Sequence, residues 1–156
     1  MTDTSVMPAG WVLGLSLGGF LDGIVLHQVL QWHHMLSTVP EEAIRTDITL
    51  NTLADGLFHA GTWILAVVGL LLLWRARRSF PATSARRFVG AMLTGAGSFN
   101  LIEGVIDHHL LGIHHVRPDS GNVLAWDVAF LALGLVLVVA GGWMMKKNGA
   151  AGTGDP

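Results

Sequence analysis

Apolar residues fall into four long runs, at 10–32, 52–74, 88–111 and 123–145, with most charged residues at or between their ends. Each run has about the 20 residues a helix needs to cross hydrocarbon. Only helices and closed barrels satisfy the backbone inside a bilayer. The runs lack two-residue alternation, so the pattern predicts helices. Gly14, Gly18 and Gly19 in the first run, and Gly90, Gly95 and Gly97 in the third, are small residues that let membrane helices approach closely. The expected fold is all-α, a single integral membrane domain over 1–156 forming a transmembrane four-helix bundle. The first run has no basic leader or small-residue cleavage site, so it reads as a retained helix. Pro40-Glu41-Glu42 predicts a short surface helix between the first two spans.

Basic residues are divided unequally. Arg75, Arg77, Arg78, Arg86 and Arg87 lie between spans two and three, and Lys146 and Lys147 follow span four; the other two loops hold only Arg45 and Arg117. Seven against two predicts that both termini and the middle loop are cytoplasmic. Trp11, Trp32, Trp74, Trp126 and Trp143 fall near span ends, where an interfacial aromatic belt belongs.

All eight histidines lie toward the opposite, external side, and Asp22, Asp55, Glu103, Asp107 and Asp127 fall within or at the edges of the spans. Ionisable groups at depth are costly and normally face a partner or a cavity. A shift of 81 positions lays 22–34 over 103–115 without a gap, matching an acid, a glycine and a His-x5-His-His pattern. Spans two and four match more weakly, Asp55-x-x-Phe58 over Asp127-x-x-Phe130. The expectation is two parallel two-helix repeats, approximately 10–74 and 88–145, about a pseudo-twofold axis along the membrane normal. If the helices run unbroken, positions seven or eleven apart share a face. Asp22 then aligns with His33, His27 with His34, Glu103 with His114 and His108 with His115.

Cysteine is absent, which excludes disulfides, thiolate metal sites and attached c-type haem. Imidazole with carboxylate suits iron, copper, zinc, manganese or nickel, and helix bundles build such centres from facing helices. His27, His108 and His59 are the leading ligand candidates, followed by His33 and His114. Asp22 and Glu103 are ligands or orienters, and Asp107 is a candidate proton acceptor in catalysis. Whether the His33-His34 and His114-His115 pairs are ligands or interfacial stays open. Asp55 and Asp127 suit helix capping as well as metal contact. Copper or iron is favoured and zinc is compatible; haem on His27 and His108 is disfavoured by the nearby acids. The net charge of −2 carries no nucleic-acid footprint.

The stretch 19–35 and the second signature at 103–115 resemble those of an uncharacterised bacterial family of predicted four-span inner-membrane proteins. That resemblance implies an inner-membrane location and supplies no activity. Similar domains accompany copper-chaperone-like proteins of oxidase assembly, which leans toward copper and toward a respiratory-chain or metal-chaperone partner. A looser chemical analogy links the histidine content to membrane di-iron hydroxylases and desaturases, from which the longer spacing and the external side depart. Three functions follow: a metal centre, dinuclear or mononuclear, for redox work on a small or lipid-soluble substrate; metal acquisition or delivery; and a proton relay or transporter component. The apolar runs 64–73 and 133–139 oppose a through-path for ions. Besides the lipid bilayer, a second copy in a homo-oligomer is compatible with the sequence.

Overall fold

In the computed structural model, residues 6–77 and 84–146 are described; their regular elements are helices, with no strands among them. Arg78 and Lys147, used for the topology reading, lie outside these residues. The elements are α1 (Met7–Leu21), continued by a wide-turn helix π1 (Asp22–Val29); a short α2 (Glu42–Arg45); α3 (Ile48–Ala76); α4 (Ser84–Glu103), continued by π2 (Gly104–Leu110); and α5 (Val123–Met145). Among the described residues, four helices are long and apolar enough to cross a membrane.

The observed ends follow local chemistry. Pro8 stands in the first turn of α1, where its missing N–H costs nothing. The first span ends before the expected residue 32, because Gln31 takes a positive φ of 50°. Span two begins a turn before residue 52. Asp47 caps α3 by accepting from the Thr49 and Leu50 amides at 2.9 and 3.0 Å. Asn122 caps α5, accepting from Ala125 N at 3.2 Å.

Spans one and three form the central pair, span two packs on span one, and span four packs on span three. In the most apolar stretch of each helix, 39% of residues are buried in spans one and three but 11% in spans two and four. The flanking helices therefore turn most of their surface to lipid. The central contact depends on small residues. A Cβ at Gly14 would run into the Met92 backbone, and one at Gly95 into that of Trp11.

The turns leaving the two central spans are alike. Leu30 N donates to Val25 O and Leu111 N to Ile106 O, both at 2.8 Å; Trp32 N donates to Leu26 O at 2.9 Å and Ile113 N to Asp107 O at 3.1 Å. Each chain then reverses through a residue with positive φ, Gln31 at 50° and Gly112 at 59°. A non-glycine residue there carries roughly 1–2 kcal/mol of strain, partly offset by the greater freedom of an unfolded glycine. Gln31→Gly is thus expected to be tolerated, with a gain below about 1 kcal/mol. Gly112→Ala is expected to lower the melting temperature. Thermal unfolding of both variants in detergent tests the pair, and the opposite signs would refute it.

Candidate metal centre

Each central span widens to i→i+5 turns at an acid–glycine pair, Asp22-Gly23 and Glu103-Gly104. Such turns often mark functional sites. The glycines let these turns press on the flanking helices: a Cβ at Gly23 would meet His59 at 2.7 Å, and one at Gly104 would meet Leu131 at 2.7 Å. His27 and His108 then point inward and are buried, as are Asp22 and Glu103. The chain leaves the helix near Leu30, so His33 does not share a helical face with Asp22, as an unbroken helix would require. It returns to the cluster through the positive-φ turn, and His114 does so after Gly112.

Six buried side chains come together: Asp22, His27, His33, Glu103, His108 and His114. Three triads among them hold ligand atoms within 4.8 Å of one another: His27, His33 and His114; Glu103, His108 and His114; and Asp22, His27 and Glu103. The triads share His27, Glu103 and His114, so the cluster is continuous. The His33 and His114 rings stack with centroids 4.8 Å apart and 9° between planes. The His27 and His33 rings meet at 4.4 Å, and those of His108 and His114 at 4.9 Å.

An outer layer orients these rings. His27 donates from Nδ1 to Asp55 Oδ1 at 2.9 Å, leaving Nε2 3.2 Å from Asp22 Oδ2. Asp55 also accepts from His34 Nδ1 at 2.7 Å and from Met35 N at 2.9 Å. Asp127 repeats the pattern, accepting from His115 Nδ1 at 2.8 Å and Val116 N at 3.0 Å, with His108 Nδ1 3.7 Å away. His33 donates from Nδ1 to Val116 O at 2.8 Å. His114 donates from Nε2 to Glu103 Oε1 at 3.2 Å. A carboxylate or carbonyl on one ring nitrogen fixes the tautomer and turns the other nitrogen toward a metal.

Eight buried side-chain atoms of the six residues have no hydrogen-bond partner: both Asp22 oxygens, Glu103 Oε2, His27 Nε2, His33 Nε2, both His108 nitrogens and His114 Nδ1. Leaving one such atom unsatisfied costs about 1–3 kcal/mol. A bound cation would engage most of them at once. His33 and His114, which lie outside the spans, are also in the form that ligates. Burial first, then the neighbouring His27, pushes the His33 pKa down to about 4, against smaller raising effects of Asp22 and the Val116 carbonyl. Burial, then His33, His108 and His27, holds His114 well below the ordinary histidine range.

Residues 9–148 match the family described as predicted membrane protein (DUF2243). The chain belongs to that family. No curated protein and no solved structure matches it. The family description agrees with the four apolar helices and carries no chemistry.

Of the residues singled out from sequence, His59 and Asp107 stand outside the triads. His59 donates from Nδ1 to the Asp55 carbonyl at 2.7 Å, and its ring lies against Phe58 and Phe20. Asp107 is half-buried one turn beyond Glu103. The two His-His pairs divide: His33 and His114 enter the cluster, while His34 and His115 bind Asp55 and Asp127. The capping reading of those two acids is overturned, since Asp47 and Asn122 hold the cap positions. Sequence reasoning also missed Asn51. Its Nδ2 donates to the Ile44, Arg45 and Asp47 carbonyls and its Oδ1 accepts from Leu36 N, tying the loop between spans one and two to α3. An asparagine near the start of an apolar helix was the available signal.

Proposed function

We propose that the buried cluster is a transition-metal centre of redox type, held by His27, His33, His108, His114, Asp22 and Glu103. The observation that carries this is the set of eight buried atoms without a hydrogen-bond partner, in six residues that form three pairs under one 81-residue shift. The pairing favours a duplicated helix pair and two ions on its axis. Neutral imidazoles with carboxylates favour iron or copper and tolerate zinc. The rings of His33 and His114 come within 4.4–6.5 Å of those of His27 and His108, which leaves no slot for a porphyrin between the latter two. The six residues are at most 3% exposed. That depth suits a resident centre better than a site that hands its metal on. With the Arg-bearing ends in the cytoplasm, the centre lies near the external face of an inner membrane.

His27 and His33 enter with their tautomers set by Asp55 and the Val116 carbonyl, so each needs no proton movement to offer Nε2. Elemental analysis of protein purified in mild detergent tests the proposal. About one or two equivalents of iron or copper are expected, with His27→Ala and His108→Ala each losing at least half. Protein that neither contains such a metal nor takes it up on titration would refute it.

A further inference from the structure

A cavity of about 520 Å³ opens beside this cluster, between spans one and four and floored by span three. Its walls include Leu17, Leu21, Leu133 and Leu137, and its external end is formed by Trp32 and Trp126. Those indoles meet edge to face at 5.1 Å, with the Arg117 guanidinium 5.0 and 5.5 Å from their centroids. The volume lies within the range of small-molecule sites. Two buried polar residues, Asp22 and Asn100, interrupt the apolar lining. Asp22 is 3% exposed; its Oδ2 lies 3.2 Å from His27 Nε2, and its Oδ1 has no partner. Phe130, also in the wall, contacts the His108 ring at 5.2 Å. The cavity therefore meets the cluster at two points, the Asp22 side chain and the Phe130 ring.

The groove is asymmetric. The position matching Gly18 under the 81-residue shift is Phe99, which packs on Phe58 at 6.0 Å. Phe58 in turn meets His59 at 5.8 Å. Phe99 thus fills, on the side of span two, the place that Gly18 leaves open on the side of span four.

We propose that this groove binds a lipid-soluble hydroxy-aromatic molecule of the quinol or phenol class, whose ring lies near Phe130 and Trp126 and whose hydroxyl donates to Asp22. An apolar wall facing lipid admits the tail, the rings favour a flat head, and a carboxylate oxygen selects a donor over a carbonyl. The inference names the substrate class of the centre proposed above and rests on that reading for its redox meaning.

The test uses the full chain in lipid nanodiscs and three probes: decyl-benzoquinol, the matching quinone and the quinol dimethyl ether. Binding is followed by quenching of tryptophan fluorescence, and metal content is measured on the same samples. Saturable quinol binding is expected, about tenfold or more tighter than for the quinone or the ether, because only the quinol supplies a donor. Ala129→Phe, which narrows the groove from its lipid side, should weaken quinol binding about tenfold with metal content unchanged. Equal affinity for quinol and ether overturns the assignment without recourse to a variant, as does indifference to Ala129→Phe. Metal-free protein that keeps the quinol preference would refute the metal centre and leave the groove standing; metal-loaded protein without the preference does the reverse.

Discussion

Asp55→Ala should empty the centre and destabilise the protein more than the loss of any one histidine. Asp55 is 1% exposed and is the shared acceptor for His27 Nδ1, His34 Nδ1 and Met35 N, with Gln28 Nε2 at 3.4 Å. Alanine leaves these donors facing a cavity. Removing one side of a buried charge-assisted pair costs on the order of 3–5 kcal/mol. His27 would also lose the partner that sets its tautomer, and second-layer changes of this kind typically cost 10–100-fold in metal affinity. Asp127→Ala should act in the same direction but less strongly, because His108 lies 3.7 Å from its carboxylate while His27 lies 2.9 Å from that of Asp55. Asp55→Asn retains the volume and one acceptor, so it should fold better than the alanine variant yet still lose metal. Melting temperature and metal content of the three variants check the ranking. An Asp55→Ala protein with wild-type metal content would remove the orienting role.

The four spans, their helical nature and the grouping of histidines with acids were legible because hydrocarbon imposes a length and a polarity that sequence records directly. Val123–Met145 begins and ends where the apolar run does. Span one was misjudged at its far end for a local reason. A 3.6-residue helix carries no hint that Asp22–Val29 widens or that Gln31 turns left-handed, so His33 was assigned to a helical face it does not occupy. His33 still reached the cluster, by a loop held through its own bond to Val116 O. The roles of Asp55 and Asp127 were illegible because both depend on where α3 and α5 begin, and Asp47 and Asn122 start them before either acid. His59 looked like a ligand by depth alone. The Asp55 carbonyl and the Phe20 and Phe58 rings that surround it belong to the helix packing around Gly23, which spacing does not encode.

Acidification should unlock the centre within a defined window. His33 is buried with its Nδ1 on the Val116 carbonyl, and burial together with the neighbouring His27 pushes its pKa down from 6.5 to about 4. His114 moves the same way. In the unfolded chain a histidine takes up its proton near pH 6.5. Between pH 6.5 and about 4 His33 and His114 therefore hold fewer protons in the folded chain than in the unfolded one, and their contribution to stability falls as pH falls. The slope is about 1.4 kcal/mol per pH unit for each such group, and the His33 contribution is fully lost below about pH 4. Above pH 6.5 both states hold these rings neutral, and their contribution is flat. Metal ligation needs the same neutral rings, so occupancy should fall as the fold weakens. Melting temperatures of chelator-treated and metal-loaded protein, stepped from pH 7.5 to 4, are expected to converge toward the acid end. His33→Gln, which cannot take a proton, should flatten part of the metal-free profile. A His33→Gln profile parallel to that of the wild type from pH 7 to 4 would show that His33 is not held neutral by burial.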